Sequence, residues 1–332
     1  MNDIIGHERL VAMLVREAER PAHAYLMVGP ASVGKATVAL RFADLIINPD
    51  QNPVDTRRVL DAIHPDIIVV EAEGRTALTV EQARGTIARA SLAPVESHRK
   101  VVLFPDAGLM NEQAANALLK TLEEPSPSTV FVLVSEATED LPATIASRSR
   151  VIRFGRVPES EVLAALSARG HENAAELAGI AGGRPGLALS LAEGGNAVTF
   201  RSVWLSIPER LAPTPGTAFL LAEEVMSAAR QVVADLRPAD ASKDKIEREA
   251  RRHLLSLLAN GLEILASWFR DAAAAQYGAE VVNRDVDPTT LASMSPVQAM
   301  RNAERVMATH ESLEANQRPE LVLAHLFADI GS

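Results

Sequence analysis

The chain of 332 residues has no cysteine. Disulfides, thiolate zinc sites and cysteine nucleophiles are therefore excluded together. That fits a reducing compartment without requiring one. Aromatic residues make up only 4%, against an alanine- and leucine-rich background that favours helices. No apolar run reaches about 18 residues and no charged-then-apolar leader opens the chain. A soluble, cytoplasmic protein without a membrane partner is expected. There is no basic excess either. Residues 1–155 hold 16 Lys+Arg against 20 Asp+Glu, and the remainder 17 against 23. Neither part reads as a basic domain, so strong autonomous binding to nucleic acid is not expected.

What is present is enough apolar residue, 47%, and enough length for two or three domains. In residues 1–155, short apolar runs alternate with helical stretches. The runs are Ala24–Gly29, Asp66–Ala72, Lys100–Asp106, Thr129–Ser135 and Val151–Phe154. Such runs read as strands buried on both faces of a parallel sheet. Between them, helices are expected over Lys35–Ile47, over Val80–Ala90 behind Thr79 as N-cap, and over Asn111–Leu122. The alternation argues a doubly wound α/β layer. Near Arg156-Val157-Pro158 the character changes. Glu159–Arg169 and Glu172–Ile180 read as helices of a small second unit, ending in "AGGRPG" at 181–186. Beyond about residue 200 only helix patterns remain, broken at "RLAPTPG", "RPADAS" and "VDPTT", with a polar loop over Arg237–Lys245.

"VGPASVGKAT", residues 28–37, follows the first run and opens the first helix. It is one residue away from the phosphate-binding pattern G-x-x-x-x-G-K-[ST]. Gly29 and Gly34 let the backbone curl so that successive N–H groups face an anion, aided by the helix N-terminus. Lys35 is placed to reach phosphates. Ala36, however, stands where a hydroxyl should ligate magnesium. Thr37 is rotated about 100° further round the helix and does not replace it. The second half of such a site ends another strand in an Asp-Glu pair that handles magnesium and the attacking water. In "VVLFPDAG", Pro105 takes the aspartate's place and Asp106 the glutamate's. Two magnesium-handling positions are lost on separate strands. Gly29, Gly34, Lys35, Thr37 and Asp106 thus make a degenerate nucleotide site. Weak binding of ATP or ADP is the most it offers.

"NEQAANALLKTLEEPSPSTVFVLVSEATEDLPATIASRSR", residues 111–150, resembles the sliding-clamp loader ATPases of the AAA+ class. "ALLKTLEEP" and "LPATIASRSR" carry the resemblance as an ordered pair, and "HPDIIVVE" (64–71) and "IIGHERL" (4–10) fit it. Within the class it is most similar to the delta-prime subunits of the bacterial DNA polymerase III clamp loader. The motifs cover about the first 155 residues. The resemblance implies an AAA+ domain over 1–156, a small helical lid over 157–197 and an all-α collar over 198–332. It implies a pentameric ring with gamma/tau-type ATPase subunits and a delta subunit, loading a sliding clamp onto primed DNA in association with the nucleoid and replisome. It implies a subunit that does not hydrolyse ATP itself. The family's Ser-Arg-Cys motif stands here as Ser147-Arg148-Ser149, so Arg148 resembles an arginine finger that acts in trans on a neighbour's ATP. A guanidinium suits that task because it is always charged and forks onto phosphate oxygens.

Two departures follow from the residues. Many delta-prime subunits carry a cysteine zinc cluster after the loop helix, whereas this chain has cysteine-free "NPDQNPVDTRRVLDAIH" there, so no structural zinc and no required cofactor are expected. Arg184 in "GGRPG" reads as an exposed turn residue rather than a nucleotide sensor. Glu123 and Glu124 read as acids at a helix end, solvated or at a subunit face, His64 as a loop residue without metal partners, and Trp268 and Phe269 as packing. Two rival readings remain open. One is a self-sufficient, motor-type ATPase subunit. The other is a clamp-independent DNA-binding AAA+ module.

Overall fold

The computed structural model describes residues 1, 3–72, 78–194, 196–235, 243–279, 281–283, 286–314 and 318–332. Two compact units result: residues 1–165 with 183–187, and residues 166–182 with 188–332.

The first unit is built on α1 (Glu8–Glu17), β1 (Ala24–Val28), α2 (Lys35–Ile47), α3 (Pro53–Leu60), β2 (Ile67–Val69) and α4 (Val80–Ala90). It continues with β3 (Lys100–Phe104), α5 (Glu112–Glu123), β4 (Thr129–Ser135), α6 (Ala143–Ala146) and β5 (Arg150–Arg153). The strands form one five-stranded sheet in the order β2-β3-β4-β1-β5. Every pairing is parallel, with Ala24 opposite Phe131 and Tyr25 opposite Arg150. Residues alternate between the two faces of a strand. Ala24, Leu26 and Val28 therefore join Val102, Phe104, Phe131 and Leu133 against Leu118 and Leu122 of α5. Tyr25 and Met27 join Val101, Leu103, Val130 and Val132 against Val38 and Phe42 of α2. Both faces are covered, which is why the strands read as unbroken apolar runs. The fold is the expected doubly wound α/β layer.

Caps fix where the helices begin. Thr79 and Gln82 form a reciprocal capping box at α4. The Asn111 side chain accepts the Ala114 N–H at α5. Helix α3 was not expected. Its signals are Asn52, which accepts the Val54 N–H, and Pro53 in the first turn. The run expected as a strand over 66–72 pairs only at 67–69. Asp66 is diverted to hold the loop before β3, and its carboxylate accepts N–H groups of Val95, Glu96 and Ser97.

In sequence, α7 (Glu159–Ala168) and α9 (Pro185–Glu193) each begin in the first unit and end in the second, and α8 (Ala174–Ala181) lies in the second. The second unit also holds α10 (Ala197–Arg210), α11 (Pro215–Asp235), α12 (Lys243–Ala275), α13 (Pro288–Leu291), α14 (Pro296–Glu314) and α15 (Pro319–Ile330). Helix α12 packs on α14, and α11 on α15. Trp204 is fully buried, edge-on to Phe200 and Phe327 with ring centroids 6.2 Å away. Gly261 makes room for it, since a methyl there would overlap the indole. Trp268 and Phe269 are buried together, 5.4 Å between centroids, as packing residues. The polar stretch expected as a loop over 237–245 lies outside the described residues as far as 242, and Lys243 already belongs to α12. Among the described residues, no helix is long and apolar enough to cross a membrane.

Candidate functional site

The loop after β1 is shaped by its backbone. Gly29 has φ 150°, its N–H donates to the Glu136 carbonyl at 3.1 Å, and a Cβ there would overlap the Phe154 carbonyl. Gly34 caps α2 at φ 100°, ψ 8°, with open space around it. Conformation therefore demands glycine at 34, and close approach demands it at 29 as well. Ser32 is left-handed at φ 60° without being glycine. Such a residue costs about 1–2 kcal/mol and persists where its surroundings hold it. Here the Ser32 carbonyl accepts the Gly186 N–H at 2.9 Å. The Val33 carbonyl accepts the His7 Nε2–H, also at 2.9 Å. His7 and Gly186 are loop supports that sequence reading did not single out. Nothing in their spacing marks them.

Lys35 is buried, and its ammonium donates to the carbonyls of Gly29 (2.5 Å) and Pro30 (2.6 Å). The side chain expected to reach outward to phosphates stitches the loop to itself. A buried ammonium needs such acceptors. Ala36 and Thr37 are exposed in the first turn of α2. Parallel pairing brings the ends of β1, β4 and β3 to one edge of the sheet, with β4 between the other two. Pro105 and half-buried Asp106 follow β3 there, and the Asp106 carbonyl accepts the Leu109 N–H. At the end of β4 the Ser135 hydroxyl donates to Asp140 at 2.6 Å. The curled amides of the loop suit an anion. A magnesium ion does not fit the same residues, because position 36 carries no oxygen and position 105 no carboxylate.

Arg148 follows α6 and is partly exposed. Its Nη1 donates to the Thr144 carbonyl at 3.1 Å and lies 3.4 Å from the Ser147 hydroxyl. Its Nη2 lies 2.6 Å from Glu123 Oε1 at the end of α5. Glu123, expected as an acid solvated or at a subunit face, is half-exposed and forms one half of an ion pair. Arg184, expected exposed on a turn, is 5% exposed. The reason is local. Gly183 accepts the Val157 N–H and Gly186 donates to Ser32, which draws the segment between them inward.

His64, expected to lack metal-type neighbours, is buried beside half-buried Asp55 and exposed Glu96, their ligand atoms within 4.8 Å of one another. The chemistry is that of an ion-pair knot. Arg58 binds Glu96 through Nη1 (2.7 Å) and Nη2 (3.0 Å), and Asp55 through Nη1 (3.0 Å). His64 Nδ1 accepts the Asp66 N–H, which leaves the ring hydrogen on Nε2, facing Glu96. A guanidinium in the middle and a protonated Nε2 oppose a cation. The Arg58 hydrogen bond holds the Glu96 carboxyl below its usual range despite some opposing desolvation.

Residues 6–158 match the family profile described as DNA polymerase III, delta subunit. DNA polymerase III subunit delta' of Pseudomonas aeruginosa is 38% identical over 137 residues, which cover 38% of this chain and 41% of the relative. Subunit delta' of Bacillus subtilis is 33% identical over 144 residues, 42% of this chain and 44% of the relative. DNA polymerase III subunit tau/gamma of Haemophilus influenzae is 29% identical over 169 residues, 48% of this chain and 24% of the relative. The matches span less than half the length of each relative. The profile match falls on the unit that carries the loop, "ALLKTLEEP" and Arg148. Over residues 6–158 the chain is similar to the delta-subunit family of DNA polymerase III, and its relatives include two delta' subunits.

Proposed function

We propose that the chain is a ring subunit of a DNA polymerase III clamp loader that does not hydrolyse ATP and supplies Arg148 in trans to a neighbour's ATP. The observation that carries the reading is the loop itself. Its glycines hold an anion-cradling backbone, while Ala36 and Pro105 leave no oxygen for magnesium. Hydrolysis in such sites needs the metal to neutralise developing charge. Catalysis in this chain then rests on the cation at 148, on the partly exposed turn after α6. The loop amides hold ATP or ADP weakly, Lys35 joins them only where its ammonium leaves the Gly29 and Pro30 carbonyls, and neither zinc nor another cofactor is required.

The partners in this reading are gamma/tau-type ATPase subunits and a delta subunit in a pentameric ring, a sliding clamp, and primed DNA reached through the complex. Residues 157–197 serve as the lid and 198–332 as the collar. The place of action is the cytoplasm, at the replisome. The test is the DNA-stimulated ATPase of the reconstituted loader with Arg148→Ala. Arginine fingers contribute on the order of 10³–10⁵ in rate, so a loss of at least about 10²-fold at intact assembly is expected. An unchanged rate would overturn the assignment.

The tau/gamma relative and the presence of a lysine at position 35 of the loop motif favour a second reading, a motor-type ATPase. It requires magnesium-dependent turnover by the isolated chain.

A further inference from the structure

Glu123 is the last residue of α5, where the helix dipole disfavours a negative charge. It is nevertheless only half-exposed, and its carboxylate oxygen lies 2.6 Å from Arg148 Nη2. The Arg148 guanidinium is thus gripped from two sides. The Thr144 carbonyl and Ser147 hydroxyl hold Nη1, and Glu123 holds Nη2. The Nε–H has no partner among the described residues. The side chain keeps 35% of its surface in solvent. An arginine without such a grip samples many rotamers, and ordering it at the moment of reaction opposes catalysis.

We infer that Glu123 is a positioning residue for Arg148: it fixes the guanidinium on the surface of the unit, with an N–H left to meet an anionic phosphate from outside. The inference rests on the trans role of Arg148. A grip through a half-exposed carboxylate is weak enough to leave the cation available to a polyanion, because exposed ion pairs contribute little. It is strong enough to select one orientation among many.

The reconstituted loader tests this by DNA-stimulated ATPase. Glu123→Ala is expected to lower kcat about two- to fivefold, the rate equivalent of about 0.5–1 kcal/mol. The KM for ATP should move less than twofold. Glu123→Gln, which keeps an acceptor oxygen, should recover much of the loss. In an Arg148→Ala background, Glu123→Ala should add nothing, since residues that act as a unit are not additive. A wild-type rate in both Glu123 variants overturns the inference. So does an equal further loss in the Arg148→Ala background, which marks a purely structural role. A wild-type rate for Arg148→Ala alone overturns the trans role first, and the inference with it. Gel filtration of each loader separates loss of assembly from loss of rate, and Glu123→Gln keeps the test open should Glu123→Ala misfold.

Discussion

At the scale of single residues, the proposed lack of hydrolysis rests on two positions. In that reading Ala36 offers a methyl where a magnesium ligand belongs, and Pro105 stands where a carboxylate would orient the metal's water. Because they sit on different elements, repairing one leaves the other. The isolated chain should show no ATP turnover with Mg²⁺, and Ala36→Thr should not restore it. A phosphate-release assay checks both, and clear turnover by Ala36→Thr would locate the whole defect at 36. Lys35 shows how far residue identity carries. Its type and place were legible, but its direction was not. The ammonium points back to the Gly29 and Pro30 carbonyls, because burial leaves it those acceptors.

At the scale of elements, the loop between α4 and β3 is held by two buried charges. The Lys100 ammonium donates to the carbonyls of Arg89, Leu92 and Ala93. The Asp66 carboxylate accepts three backbone N–H groups and the Ser97 hydroxyl. For Asp66, burial favours the neutral acid, but these donors together outweigh it and hold the carboxyl below its ordinary value of 3.8. A depressed carboxyl contributes stability above the unfolded value, and that contribution disappears as pH falls through the folded one. Asp66→Asn should therefore lower unfolding stability by about 2–3 kcal/mol near neutral pH. The deficit should shrink as pH falls below 3.8. Urea denaturation of both proteins across that range checks it. A deficit that stays constant would show that charge is not what holds the loop. The sequence showed an apolar run at 66–72 but not that its first residue caps a distant loop. Periodicity reports burial, not side-chain partners.

At the scale of the whole molecule, the net charge of −10 spread over both parts bears on DNA. The isolated chain should bind duplex DNA no more tightly than about 10⁻⁴–10⁻⁶ M at physiological salt, the range of non-specific contacts. A fluorescence anisotropy titration at several salt concentrations checks this. Nanomolar affinity would favour an autonomous DNA-binding module instead.

The sequence by itself determined the α/β layer, the position of the loop and the lack of an oxygen at position 36 and of a carboxylate at position 105. These depend on local facts: apolar runs, glycine backbone freedom, and whether a side chain carries an oxygen. Only the tertiary structure decided that Glu123 grips Arg148, that Arg58 joins Asp55 and Glu96, and that Arg184 is buried. Each of those depends on which elements the sheet order and the caps bring together. A charged residue in a sequence names no partner until the fold supplies one.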